Sequence, residues 1–160
     1  MRPVPDLADL PVLRTHALPV GDGHVLNVQE FGHPQGQPLA LMHGGPGSGA
    51  SPVLRRGFDS AAWRVICIDQ RGAGGSRPRG ATEANTTEHL LADLRQVRQA
   101  LGVERWVVAG GSWGATLAVA YAAFEPEAVA GLLLRASFLA RRADIDGFFQ
   151  RPAEPALRPA

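Results

Sequence analysis

The sequence of 160 residues contains one cysteine, no lysine and no long hydrophobic run. A single cysteine excludes an internal disulfide bond, and Cys67 lies in an apolar run typical of a buried strand. No stretch approaches the roughly eighteen apolar residues that a membrane-spanning helix needs. The net charge is only +1, which favours neither a nucleic acid nor an anionic membrane as a partner. No secretory signal pattern opens the chain, so the expected location is the cytoplasm.

What the chain does contain is the composition of one globular domain. Hydrophobic residues make up 45% of the sequence and charged residues 19%, which is typical of soluble globular proteins. A chain of this length can bury a substantial core in a single domain. We expect residues 1–150 to form this domain. Residues 151–160 are rich in proline, alanine and arginine and are predicted to be a disordered tail.

Residues 110–114 (GGSWG) lie between an apolar run at 106–109 and a helical pattern at 115–124. Gly-x-Ser-x-Gly between a strand and a helix forms a sharp turn that exposes the serine hydroxyl. Gly110 and Gly114 suit this turn because side chains two residues before and after the serine would collide. The hydroxyl would then lie at the positively polarised start of a helix. The pattern predicts a nucleophile at Ser112; the alternative is a glycine-rich turn with an ordinary surface serine.

A second glycine-rich loop, residues 43–49 (HGGPGSG), follows the apolar run 39–42. Its glycines allow main-chain N–H groups to face a shared point, as one half of an oxyanion hole requires. Gly44 and Gly45 are the candidates, and the N–H of Trp113, directly after the serine, is the other half. His43 is predicted to be a structural, hydrogen-bonding residue of this loop. The alternative is a tight connection without a catalytic role.

Hydrophobic periodicity predicts strands and helices in alternation. Buried strands are expected at 39–42, 63–68, 105–109 and 128–134, a hairpin strand at 24–31, and helices after residue 85 and at 115–124. Asn85 and Glu88 are the expected capping box of the first helix. This alternation predicts an α/β fold with a mostly parallel, doubly wound sheet. In such sheets the site lies at the carboxyl ends of the strands, where the loops 43–49, 69–76 and 110–114 fall.

Four motifs occur here in the order of a known family. They are residues 43–47 (HGGPG), 69–74 (DQRGAG), 85–87 (NTT) and 110–118 (GGSWGATLA). Together they resemble the proline iminopeptidases (prolyl aminopeptidases), serine peptidases with an α/β-hydrolase core, over residues 18–149. The resemblance implies release of N-terminal proline from small peptides through an acyl-enzyme, without a metal or organic cofactor. It also implies that Ser112 is the nucleophile and that Gly44 or Gly45 and Trp113 form the oxyanion hole.

The general base expected after the serine is missing. In this fold the triad runs Ser, then Asp or Glu, then His along the chain, yet all five histidines precede Ser112. His89 and the later carboxylates are predicted to be solvent-exposed; these acids are Glu125, Glu127, Asp144, Asp146 and Glu154. The resemblance implies an amino-terminal half of the enzyme, truncated before the cap and the last strands. We therefore expect no useful activity from the chain alone, and self-association through an uncovered strand edge.

Two alternatives to a proline-specific peptidase stay open. One is another hydrolase of the same fold, an esterase or amidase, because fold and turn do not define the substrate. The other is a non-catalytic remnant, or a scaffold that pairs with a separately encoded half. A dehalogenase or an epoxide hydrolase is disfavoured, because those enzymes place an aspartate where Ser112 stands.

Overall fold

The computed structural model describes residues 9–138 and 141–149 of the chain. Six strands form one sheet: β1 (Arg14–Gly21), β2 (His24–Gly32), β3 (Gln37–Met42), β4 (Trp63–Ile68), β5 (Trp106–Ser112) and β6 (Val129–Ser137). Their order across the sheet is β1-β2-β4-β3-β5-β6. The four neighbouring strands β4, β3, β5 and β6 are parallel, whereas β2 is antiparallel to both of its neighbours, β1 and β4. The predicted mostly parallel α/β sheet is confirmed.

The register of the parallel strands brings three loops to one edge of the sheet. Met42 at the end of β3 is paired with Ile68 of β4 and with Gly110 of β5. The loops that follow these three strands therefore begin side by side. As the sequence predicts, the motifs 43–47, 69–74 and 110–114 all lie at the carboxyl ends of neighbouring strands.

Within the described residues, three α-helices accompany the sheet: α1 (Thr87–Ala100), α2 (Trp113–Phe124) and α3 (Arg142–Phe149). Leu94 of α1 and Leu117 of α2 belong to one apolar cluster, with inward side chains of β2 to β5. The opposite face of the sheet is covered partly by a 3₁₀ turn at Pro52–Arg55 and by Phe58. Cys67 lies in this second cluster, and burial raises the pKa of its thiol to about 12, so it is a core residue as predicted.

The start of α1 differs from the prediction by one residue. Thr86 is the N-cap and His89 completes the capping box, with their Oγ1 and Nδ1 atoms 2.9 Å apart. The predicted pair, Asn85 and Glu88, is therefore wrong. The Asn85 amide instead donates to the main-chain oxygens of Arg71 and Ala81 at 3.1 Å each, because tertiary contacts with the preceding loop hold it there. His89 is thus a capping residue and not simply a solvent-exposed one.

Glu125 also departs from the prediction of solvent exposure. Its carboxylate accepts hydrogen bonds from Arg95, from Arg98 at 3.1 Å and from the Tyr121 hydroxyl at 3.0 Å. The side chain is only 15% exposed because it joins the end of α2 to α1. Glu127 is exposed as predicted, whereas Glu154 and the predicted tail 151–160 lie outside the described residues.

The two acids of α3 are partly exposed: the side chain of Asp144 is 20% exposed and that of Asp146 is 36% exposed. Asp144 and Asp146 pair with Arg141 at 2.9 Å and with Arg142 at 3.0 Å, one turn of the helix apart. Across the described part of the chain, no helix combines the length and apolar character needed to cross a membrane.

Candidate active site

Ser112 ends β5 and is the N-cap residue of α2. Its backbone has φ 55° and ψ −123°, a conformation that costs free energy in a residue other than glycine. A Cβ atom on Gly110 would lie 2.2 Å from the Gly114 oxygen, and one on Gly114 would lie 2.5 Å from the Met42 oxygen. Both glycines are therefore required, the second because α2 starts directly against the end of β3. The turn presents the serine side chain to solvent.

The loop 43–49 lies directly beside this turn. A Cβ atom on Gly44 would lie 3.1 Å from the Gly111 oxygen and 3.5 Å from the Ser112 Cβ atom, so the loop lies within van der Waals contact distance of the serine. The Gly44 carbonyl accepts hydrogen bonds from the Ser48 hydroxyl at 2.5 Å and from the His43 ring at 2.9 Å. Because the C=O and N–H of a trans peptide point in opposite directions, these bonds turn the N–H of Gly45 away from His43.

Three main-chain donors around Ser112 lack an acceptor. Within residues 9–138 and 141–149, the N–H groups of Gly44, Gly45 and Trp113 make no hydrogen bond. The Trp113 N–H is among the first of α2, where the helix dipole adds positive potential. The fold thus brings the predicted loop to the predicted serine. Unpaired donors near a nucleophile are suited to stabilise developing negative charge.

His43 is buried and holds the loop by both ring nitrogens. Its Nε2 accepts the main-chain N–H of Gln70 at 3.1 Å, so the proton lies on Nδ1, which donates to the Gly44 oxygen. Burial lowers the pKa of His43, and the neutral ring is the form that this pattern of bonds requires. This is the structural role that the sequence predicted.

Two buried residues of the 69–74 motif were assigned no role from the sequence. Asp69 accepts hydrogen bonds from the N–H of Ala50 at 2.6 Å, the N–H of Gly75 at 2.8 Å and the side chain of Asn27 at 2.9 Å. It therefore fastens the far end of the 43–49 loop to β2. Gln70 contacts both His43 and Trp113. Membership in the motif was the one sequence signal for either residue.

Every histidine of the chain has a partner other than Ser112. Besides His43, the partners are Glu30 for His16, the Glu83 oxygen for His24, the Gln35 N–H for His33 and Thr86 for His89. Among the described residues, the Ser112 hydroxyl itself makes no hydrogen bond. The same part of the chain holds no group of three His, Cys, Asp or Glu side chains arranged as metal ligands. The site therefore combines an exposed hydroxyl with unpaired N–H groups, and no described residue places a base in contact with that hydroxyl.

A cleft of about 580 Å³ opens beside Trp113. Its walls come from the 43–49 loop, the motif 69–74, residues 80–82 and the start of α1. Ser112 is not among the lining residues, so the cleft adjoins the serine at one side. Its volume lies within the range of small-ligand sites in proteins, roughly 300–1,000 Å³.

Comparison with known proteins defines the family. A family model described as the alpha/beta hydrolase fold matches residues 37–160. The chain belongs to this family. It is 50% identical over 124 residues to the proline iminopeptidase of Neisseria meningitidis serogroup B, and 46% identical over 134 residues to that of Xylella fastidiosa. The resemblance to the proline iminopeptidases is confirmed.

Solved structures agree with the sequence relatives. A proline iminopeptidase-related protein from Thermus thermophilus matches 76% of the chain with a TM-score of 0.66 and 33% identity. The Mycobacterium smegmatis proline iminopeptidase matches 74% with a TM-score of 0.62 and 31% identity. The chain covers 43% and 42% of these two structures, and 40% and 43% of the Neisseria and Xylella relatives. It thus spans less than half the length of the proteins it matches.

Proposed function

We propose that the chain carries the nucleophile and the oxyanion hole of a serine aminopeptidase that releases N-terminal proline from small peptides. The observation that carries this proposal is the exposed, strained Ser112 beside the unpaired N–H groups of Gly44, Gly45 and Trp113. The names of the Neisseria and Xylella relatives, both proline iminopeptidases, support the substrate class. The cytoplasm stays the proposed location.

The proposed reaction uses these groups in two steps. The Ser112 oxygen attacks the carbonyl carbon of the N-terminal proline, and the carbonyl oxygen takes up negative charge. The N–H of Trp113 and that of Gly44 or Gly45 donate to this oxygen. The C–N bond breaks, the peptide amine leaves with a proton, and proline stays as an ester on Ser112. Water then hydrolyses the ester and frees proline, and neither step needs a metal ion or organic cofactor.

A general base must accept the serine proton, and we propose that it lies outside these 160 residues. All five histidines are engaged elsewhere, and the His43 Nδ1–H donates to the Gly44 oxygen. Serine hydrolases without their triad retain only about 10³–10⁴-fold catalysis over water. Intact enzymes commonly exceed about 10⁶-fold. The isolated chain is therefore expected to lack useful peptidase activity.

A fluorophosphonate probe tests the proposal, because it reacts with activated serines. We expect no labelling of the chain alone and no enzyme-like turnover of proline p-nitroanilide. Labelling is expected when the carboxyl-terminal part of the Xylella fastidiosa enzyme, which this chain does not match, is added. Ser112→Ala should abolish that labelling, whereas Ser51→Ala, at an exposed serine without a capping hydrogen bond, should not.

Three results would contradict parts of the proposal. Rapid turnover by the chain alone would mean that a base lies within it. Labelling at a residue other than Ser112 would remove the nucleophile assignment. Faster release from alanine p-nitroanilide or p-nitrophenyl acetate than from the proline substrate would favour another amidase or an esterase of the same fold.

A further inference from the structure

We propose that Gln70 is a positioning residue that clasps the two halves of the oxyanion hole together; this inference rests on the function proposed above. One half is the 43–49 loop and the other is the start of α2 at Trp113. They follow different strands, β3 and β5, and only the long stretch of chain between them joins them covalently. Gln70 lies just after β4, the strand next to β3, and contacts both halves.

The contacts of Gln70 use its main chain and both ends of its amide. The Nε2 group donates to the His43 oxygen at 2.9 Å, and Oε1 accepts the Trp113 indole N–H at 3.0 Å. The main-chain N–H donates to the His43 Nε2 atom at 3.1 Å. Gln70 is only 5% exposed, so these bonds are largely shielded from competing water.

These bonds orient the donors of the loop through the geometry of the peptide unit. The Gln70 amide holds the His43 carbonyl, so the N–H of Gly44 in the same peptide points away from Gln70. The Gln70 main chain sets the His43 tautomer, and His43 then holds the Gly44 carbonyl. The N–H of Gly45 is oriented by that second bond. One residue thus sets the direction of both candidate donors.

The third bond ties this arrangement to α2. The Trp113 indole is held against Gln70, while its main-chain N–H is the donor beside Ser112. A loss of the clasp would leave two donors individually present but free to move relative to each other. Misplaced donors stabilise an oxyanion less, and removal of one such donor lowers rates about 10²–10³-fold in a serine peptidase.

Phenylboronic acid provides a test on the full chain that does not require turnover. Unlike irreversible fluorophosphonate labelling, this addition is reversible and reaches equilibrium without a base in the chain. The Ser112 oxygen adds to boron, its proton passes to solvent, and the anionic tetrahedral adduct occupies the oxyanion hole. Boron NMR should detect this adduct in the wild-type chain and not in Ser112→Ala. We expect Gln70→Met and Gln70→Glu to weaken adduct formation by about 10-fold or more.

A matched control is Gln96→Leu. Gln96 also donates its amide to a main-chain oxygen, that of Val20 at 3.3 Å, in the contact between α1 and β1. Its loss should leave adduct formation unchanged. Circular dichroism melting of each variant separates weakened binding from lost folding. If Gln70→Met does not fold, Gln70→Glu replaces it in the test, because glutamate has nearly the shape of glutamine.

The indole N–H resonance of Trp113 gives a second readout that a merely structural role would not move. This signal is assigned by its absence in Trp113→Phe, and it should shift and exchange faster in Gln70→Met. Adduct formation by Gln70→Met equal to that of the wild type would overturn the inference and leave the proposed function intact. No adduct in the wild type would instead count against the proposed site. The indole signal would then test the clasp, and a Trp113 resonance that is unchanged in Gln70→Met would overturn it.

Discussion

The two edges of the sheet, called here the hairpin side and the β6 side, differ in the contacts that hold them in place. On the hairpin side, formed by β1, β2 and the loops that contact them, buried Arg71 donates to both oxygens of Asp93, to Asp22 and to the main-chain oxygens of Val20 and Ala84. On the β6 side, the last described strand pairs with β5 alone. Leu132 and Leu133 of β6 are 41% and 36% exposed.

This difference separates two parts of the candidate site, one held by buried polar contacts and one next to an open strand. The loop 43–49 and the motif 69–74 lie toward the hairpin side, where buried polar groups determine their shape from several directions. Ser112 lies at the end of β5, next to the open β6. The backbone of the loop 43–49 is therefore held in place by buried contacts, whereas the serine hydroxyl has no partner among the described residues.

The largest expected effect tests the ion network of the hairpin side. Arg71→Met would leave the Asp93 carboxylate, 2% exposed, without its cation. Breaking a buried ion pair in this way costs about 3–5 kcal/mol. Urea unfolding followed by circular dichroism should show this loss of stability.

The matched control for that variant is Arg142→Met in α3. Its ion pair with Asp146 involves an arginine side chain that is 85% exposed, so solvent screening leaves little to lose. Equal destabilisation by the two variants would contradict the view that the hairpin side is held by its buried arginine.

A glycine substitution compares the elbow, the sharp turn at residues 110–114, with β6. In Gly110→Ala the new methyl group would overlap the Gly114 carbonyl, and such overpacking costs about 1–3 kcal/mol or more. Gly131→Ala in β6 meets no atom within 4 Å, so we expect a change of less than about 1 kcal/mol. Thermal melting of both variants checks the contrast. Equal losses of stability in the two variants would contradict the close contact between Gly110 and the Gly114 carbonyl.

A smaller effect should appear in the pH dependence of stability. Burial lowers the pKa of His43 from its ordinary value of 6.5, so the unfolded chain binds this proton more readily than the folded chain. The free energy of unfolding should therefore decrease as the pH falls below about 6.5, toward the lower folded pKa. The slope is at most about 1.4 kcal/mol per pH unit for one such group.

Urea titrations between pH 7 and pH 5 measure that slope. His43→Asn should reduce it, whereas His33→Asn, at an exposed histidine, should not. Stability that rises as the pH falls through this range, or a slope that survives in His43→Asn, would contradict the prediction.

The smallest effect on stability is expected for the exposed leucines of β6. Replacing Leu132 and Leu133 with threonine should change the free energy of unfolding by about 0.5 kcal/mol or less per site. It should nevertheless reduce self-association, because it removes apolar surface from an open strand edge. Sedimentation velocity measures this, with Leu13→Thr as a control, since Leu13 is 46% exposed next to β1. A wild-type chain that is already monomeric at high concentration would refute the association.

Several parts of the fold and the site were predictable because their signals are local. Apolar runs predicted β3, β4, β5 and β6, and helical spacing predicted α1 and α2. Glycines at 110 and 114 predicted the elbow, and the structure supplies the contacts that exclude a side chain at both positions. His43 was predicted to be structural because of its place in the loop.

Other features depend on partners far away in the chain. The exposure of Glu125 was predicted wrongly because its arginine partners lie 27 and 30 residues earlier, in α1. The capping box was displaced by one residue because Asn85 is occupied by the 69–74 motif and residue 81. Beyond its place in the 69–74 motif, nothing local predicts the contacts of Gln70, since its partners lie 27 and 43 residues away.

By itself, the sequence determined the alternation of strands and helices, the two glycine-rich turns and the family. The strands, helices and turns follow from hydrophobic periodicity and from backbone conformations that only glycine adopts easily, both of which are properties of neighbouring residues. The family follows from the resemblance of four short motifs. Only the tertiary structure decided that the two turns meet, that His43 and Gln70 orient their donors, and that all five histidines are engaged away from Ser112. Those facts depend on strand register and on which side chains become buried together, and neither is a property of any short segment.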